Sequence, residues 1–167
     1  GAEVFPRGTV QPDGRLDLCK QGLGPVQAAR VLAEAVRSPL VRHLLLGTNG
    51  LGAEGSHVVA AALGPGHRIE TLYLGCNNLD AAGVAPLADR LAADGTVTAL
   101  WLKRNPVGDE GVARLAAALR GNRVLRTLDL VNTGVGAAGL EALAAALATR
   151  GPRLQRLYLG GNGLGPE

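Results

Sequence analysis

Two hydrophobic rhythms alternate along almost the whole chain. Around Asn77 the apolar residues Ile69, Leu72, Leu74 and Leu79 follow the spacing L-x-x-L-x-L-x-x-N-x-L. That spacing returns as Val41/Leu44/Leu46/Asn49/Leu51, Val97/Leu100/Leu102/Asn105/Val107, Leu125/Leu128/Leu130/Thr133/Val135 and Leu154/Leu157/Leu159/Asn162/Leu164. Its central x-Leu-x-Leu-x alternates with period 2 and predicts a short strand with both leucines on one face. The rhythm then lengthens. Val112, Leu115, Ala116 and Leu119 recur at i, i+3, i+4 and i+7, and the same columns hold Leu140/Leu143/Ala144/Leu147, Val84/Leu87/Ala88/Leu91 and Ala28/Val31/Leu32/Ala35. This is the apolar stripe of a helix, so each unit predicts strand, loop, helix, loop.

One polar column keeps the count. Gln21, Asn49, Asn77, Asn105, Thr133 and Asn162 fall 28, 28, 28, 28 and 29 residues apart. A unit of this length cannot bury its own apolar face, so the fold must come from stacking. Strands that return after a helical crossover run parallel, with strand and helix leucines meeting between two layers. Strands stack about 4.8 Å apart whereas helices need about 8–10 Å, so the stack bends with its sheet on the concave side. The asparagine column has a scaffold explanation: its amides suit peptide groups left unpaired where the chain leaves each strand, repeated coil after coil as a ladder.

Punctuation residues refine the picture. Gly55, Gly83, Gly111 and Gly139 share a column near the helix start, where a missing side chain lets neighbouring coils approach. Pro25 suits a first helical turn and Asp80 an N-cap, whereas Pro86 lies deep enough to predict a helix that starts late or bends. At the N-terminus, Val4 to Val10 followed by Gln11-Pro12-Asp13-Gly14 predicts a hairpin, within residues 1–15, that seals the first edge of the stack. Residues 16–167 then form six repeats, the last without its helix. That sixth strand is expected either to continue in a longer protein or to be covered by another chain.

These residues resemble a known family. The 28-residue period and lines such as Leu72-Tyr73-Leu74-Gly75-Cys76-Asn77-Asn78-Leu79-Asp80-Ala81-Ala82-Gly83 are similar to ribonuclease-inhibitor-type leucine-rich repeats, the class found also in NOD-like receptors and Ran GTPase-activating proteins. The resemblance covers Leu16 to Leu164. It implies an α/β leucine-rich repeat solenoid, a horseshoe with a parallel concave sheet and convex helices. It also implies a non-catalytic protein-binding module working through its sheet face, with a GTPase-activating regulator or a self-associating segment of a larger sensor as alternatives. Inhibition of a ribonuclease is not carried over, because six short uniform units with few cysteines depart from the vertebrate inhibitors. The alanine- and arginine-rich text suggests a bacterial source.

Composition changes this picture in a few places. The chain has 167 residues, a net charge of +3 and 19% charged residues, without the Lys/Arg blocks of a nucleic-acid arm or membrane patch. Nucleic acid and membrane are therefore not expected partners, and neither an 18-residue apolar run nor a secretory leader is present in the segment. Cys19 and Cys76 lie two repeats apart, roughly 10 Å, too far for a disulfide; free thiols point to a reducing, cytoplasmic compartment. No cofactor or metal motif occurs. His43, His57 and His67 do not converge, and neighbours Ser56 and His57 point different ways on a helix, so no catalytic constellation is expected.

Candidate binding residues come from sorting the strand positions that face away from the leucines. The central column reads Asp17, Leu45, Tyr73, Trp101, Asp129 and Tyr158, and holds three of the four aromatic side chains. Tyr73 and Trp101, on neighbouring strands, are the expected centre of a partner-binding face, with Lys103, Arg104, Arg126, Asp129 and Tyr158 around them. Strand-facing columns carry Arg15, Lys20, Arg42, Lys103, Arg104, Arg126 and Arg156 against Asp17, Glu70 and Asp129, a local +4. The expected partner is a protein, steered by an acidic face.

Overall fold

A computed structural model describes residues 3–5 and 8–164. The elements are β1 (Val4–Phe5), β2 (Gly8–Thr9), β3 (Arg15–Asp17), α1 (Gly24–Ala35), β4 (His43–Leu45), α2 (Gly52–Ala62), β5 (Thr71–Tyr73), α3 (Ala81–Leu91), β6 (Ala99–Trp101), α4 (Gly108–Gly121), β7 (Thr127–Asp129), α5 (Ala137–Leu147) and β8 (Arg156–Tyr158). Strands β3 to β8 form one parallel sheet in chain order. Its register places Leu16, Leu44, Leu72, Leu100, Leu128 and Leu157 side by side. Each helix packs against its sequence neighbours on the other side of the leucine layer. The fold is an α/β leucine-rich repeat solenoid.

The core follows the two rhythms. Leu72, Leu74, Leu100 and Leu102 are at most 1% exposed, and helix residues Val84, Leu87, Val112 and Leu115 close on them from the opposite layer. Burying each such leucine contributes up to about 2–3 kcal/mol of transfer free energy. The glycine column leaves no room for a side chain at Gly111. A β-carbon at Gly111 would stand 2.5 Å from Val107 Cγ1 and 3.3 Å from Ala81 Cα of the preceding coil.

One local feature departs from the sequence expectations, and two others add detail to them. Helix α3 begins at Ala81, in step with its neighbours, although it contains Pro86. Asp80 caps it, its carboxylate accepting the Gly83 N–H at 2.7 Å. Pro86, the sixth residue of the helix, removes one intrahelical bond. The carbonyl so released belongs to Ala82, an exposed residue, so water can satisfy it. The antiparallel pair at the N-terminus lies between β1 and β2. The 11–14 turn, closed by Gly14 N–H to Gln11 O at 2.9 Å, carries the chain from β2 into β3. Phe5 and Val10 join the core there, and Gly8 lies against Leu16 and Leu18. Finally, the 29-residue spacing of the fifth unit is absorbed after α5, where Gly151 packs on the Arg120 carbonyl so tightly that a β-carbon there would overlap it.

The amide column forms a ladder. Asn49 Oδ1 accepts from Gln21 and Leu23 N–H, while its Nδ2 donates to Leu18 O and Leu46 O. Asn77 and Asn105 repeat the arrangement one coil further on each time, and Asn162, two coils beyond Asn105, accepts from Thr133 and Gly134 N–H while donating to Leu130 O and Leu159 O. Thr133 is different: its hydroxyl donates to Leu130 O at 2.7 Å, and among the described residues no rung joins it to Asn105 N–H. The neighbouring Val107 N–H, which elsewhere in the column would reach the next amide, turns back to Asn105 O at 2.8 Å. Pro106 makes that three-residue turn natural, because its fixed φ matches an inverse γ-turn.

A second polar row lies where each helix returns to the next strand. Asp94 Oδ2 accepts from Thr96 and Val97 N–H, and Asn122 Oδ1 from Val124 and Leu125 N–H. Between units, His67 Nε2 meets Asp94 Oδ1 at 2.5 Å with both side chains buried, and the Ile69 N–H donates to His67 Nδ1. With Nδ1 accepting, Nε2 carries the ring hydrogen and donates a hydrogen bond to the carboxylate.

Candidate functional face

The outward positions of the sheet are built by the strand pleat and then redirected by what lies beside them. Tyr73 and Trp101 are register partners, yet their rings lean apart. Tyr73 lies over two glycines: a β-carbon at Gly47 would be 2.6 Å from its Cε1, and one at Gly75 would be 2.9 Å from its hydroxyl. Lys103 Nζ sits over the same ring, 5.7 Å from its centroid. Trp101 instead stacks on Tyr158, two strands away, with centroids 5.6 Å apart and planes at 18°. The position between those two strands belongs to Asp129, so the stacked rings bridge above it.

The sequence places Asp129 among the solvent-facing contacts, and the structure corrects this: it is 2% exposed. Its Oδ2 accepts the Lys103 N–H at 3.0 Å and its Oδ1 the Val131 N–H at 3.4 Å. Burial pushes its carboxyl above the ordinary aspartate range, with the two backbone bonds and Lys103 opposing. Asp129 thus supports the face from beneath. At the other end of the sheet, burial reinforced by the Asp17 carboxylate pushes the Cys19 thiol up to about 11, which keeps it a poor nucleophile at neutral pH.

Basic side chains line the upper rim and the C-terminal half. Lys20, Thr48, Cys76, Arg104 and Asn132 occupy one column with φ between 52° and 58°, the left-handed step by which each coil leaves its strand. That step sets Arg104 at the rim, exposed. Arg126 Nη1 bonds the Arg123 and Val124 carbonyls, which orients its guanidinium without neutralising it. Arg156, on β8, is exposed. In the N-terminal half, Arg42 pairs with Glu70 at 3.6 Å, an exposed and therefore weak contact.

Among the described residues the three histidines lie apart from one another. His43 Nδ1 contacts Thr71 Oγ1 at 2.8 Å, His57 is exposed on α2 and His67 is buried on Asp94. Ser56 is 1% exposed and its hydroxyl has no partner, so it cannot serve its exposed neighbour His57. Among the described residues no group of three or more His, Cys, Asp or Glu side chains could hold a metal ion, and no helix is long and apolar enough to cross a membrane. A recess of about 980 Å³ lies on the helix side between α1 and α2, where Ala62 occupies the place that Arg90 fills one unit later by donating to Leu63 O.

Several contacts escaped the sequence reading. The Gly47 and Gly75 shelf beneath Tyr73 could have been found from glycine standing in a column that holds Lys103 and Val131 elsewhere. His67 and Asp94 are 27 residues apart, off the repeat period, so columns conceal them. Asp109 gives a clearer surprise. Its carboxylate accepts the N–H of Gly136 at 2.6 Å and of Gly139 at 2.9 Å, capping α5 from the preceding helix.

The family model for the leucine rich repeat matches residues 69–88, 96–116 and 121–144, which supports a leucine-rich repeat protein. Repeats of this kind commonly mediate protein–protein interaction. No curated protein matches the chain.

Proposed function

We propose that this protein is a non-catalytic interaction module that binds another protein on its sheet face, with Tyr73, Trp101, Lys103, Arg104, Arg126 and Tyr158 as the contact surface. The observation that carries the reading is the aromatic row. Scaffold demands are met by the leucines beneath, yet Tyr73, Trp101 and Tyr158 project from the opposite side, where rigid aromatic side chains are the usual anchors of protein interfaces. Residues 1–15 serve as the cap and 16–167 as six repeats of the ribonuclease-inhibitor type, supported by the regular helix in each complete unit. The unpaired thiols favour a cytoplasmic setting. Titration of an identified partner against wild type and the Tyr73→Ala/Trp101→Ala variant tests the site; the expected result is at least a hundredfold loss, about 2.7 kcal/mol, and equal affinities would remove the sheet face from consideration.

A second reading is self-association through β8, which among the described residues has a strand neighbour on one side only. Leu154, Leu157 and Leu159 are only partly buried, while their counterparts Leu125, Leu128 and Leu130 are buried. Light scattering at high concentration decides it, with a strictly monomeric species excluding the edge as a contact.

A further inference from the structure

The contacts of the sheet divide it into halves of different character, one basic and one mixed, and we infer that the occupant is an extended acidic segment carrying one apolar side chain, seated across β5–β8 alone. This rests on the sheet face being the binding surface. In the β5–β8 half, Lys103, Arg104, Arg126 and Arg156 stand around the rings. The single carboxylate in the strand-facing rows of β6–β8, Asp129, lies buried under the Trp101–Tyr158 stack, with its oxygens taken by backbone N–H groups. Over β6–β8 the exposed charges that a ligand meets are therefore positive, and Glu70, at the foot of β5, marks the acidic border of that patch. The β3–β4 half is mixed: Asp17 is exposed, and Glu70, at the foot of β5, offsets Arg42.

Shape agrees with charge. Because Tyr73 leans onto the Gly47 shelf toward β4 and Trp101 leans toward β8, the two rings diverge from neighbouring strands and offer aromatic walls to one apolar side chain. Aromatic faces also attract cations. Here the face of Tyr73 already carries Lys103, and the surrounding guanidinium groups would oppose a further positive charge. Three strand spacings of about 4.8 Å give about 14 Å, the length of four to five extended residues at roughly 3.3 Å each. Carboxylates on such a segment would meet Arg104 on the rim and Arg156 on the last strand, each able to bind a carboxylate through two N–H groups.

Trp101 is the chain's single tryptophan, so its emission reports occupancy of this half directly. The experiment titrates the intact protein, at low salt, with the pentapeptide Glu-Glu-Phe-Glu-Glu and with its counterpart Lys-Lys-Phe-Lys-Lys. The acidic peptide is expected to bind at least about tenfold more tightly, and to weaken severalfold when sodium chloride is raised to about 0.3 M. Arg104→Glu/Arg156→Glu should lose about tenfold in affinity for it, whereas Arg15→Glu, an equal charge reversal per site on β3, should stay within about twofold. Preference for the lysine peptide, or binding of neither peptide at millimolar concentration, overturns the inference. A Trp101 response that ignores peptide charge also overturns it, while leaving the sheet-face reading intact.

Discussion

The break in the amide ladder makes a quantitative prediction about Pro106 and Thr133. Thr133 lacks the amide oxygen that would accept Val107 N–H, and Pro106 bends the chain so that the same N–H reaches Asn105 O at 2.8 Å. Val107 is 1% exposed, so its N–H cannot fall back on water. Pro106→Gly alone permits the left-handed step taken by Gly22, Gly50 and Gly134 elsewhere in the column, but it points Val107 N–H at a residue with no acceptor in reach. The expected cost is about 1–3 kcal/mol for the orphaned donor, with about 1 kcal/mol more from the looser unfolded chain. Thr133→Asn alone supplies a partner for Asn105 N–H and two donors in place of one hydroxyl, a gain of about 1 kcal/mol. In the double variant the introduced amide oxygen would accept both N–H groups, as those of Asn105 and Asn77 do one and two coils earlier, so the orphan term disappears. A urea-denaturation double-mutant cycle should therefore show a favourable coupling of about 1–3 kcal/mol, read from midpoints at constant m-value. Additivity within about 0.5 kcal/mol would refute the idea that these two residues compensate for one another.

Three further outcomes follow from single contacts. Asp109→Ala removes the carboxylate that caps α5 from α4 and should destabilise by about 1–2 kcal/mol in thermal or urea unfolding, with the loss smaller at high salt. Ser56→Ala deletes a buried hydroxyl with no partner, from a column otherwise filled by Ala28, Val84, Val112 and Leu140, and should raise stability by about 1 kcal/mol; a loss of that size would mean the hydroxyl is bonded. Asp129 holds its proton more tightly folded than unfolded, so its contribution to stability falls as pH rises from the ordinary aspartate range through its raised folded value; Asp129→Asn should flatten that part of the pH–stability curve, and an unchanged slope would contradict the burial argument.

The strands and helices were legible because each obeys one period. Leu72 and Leu74 alternate, Val112 to Leu119 recur at helical spacing, and a column count of 28 matches the parallel register of the sheet. Pro86 misled because propensity weighs a proline in isolation, whereas a capped helix held between two neighbours on the same core tolerates the loss of one bond. The face was legible as a column of residue types and no further. Which ring Trp101 meets depends on the space beside it: the glycine shelf draws Tyr73 one way, and the short Asp129 side chain lets Trp101 and Tyr158 close over it. Neither cause is visible in a column that treats each strand alike. The cross-unit contacts of Asp109, Arg90 and His67 were hidden for a related reason, since each joins positions that the repeat does not equate.

The account turns on the sheet face being the surface that meets other molecules. Backbone amide shift mapping with a bound partner tests that directly. It should show the largest perturbations at Tyr73, Trp101, Lys103, Arg104 and Tyr158, with α1 to α5 nearly silent; perturbations confined to the helices would contradict it.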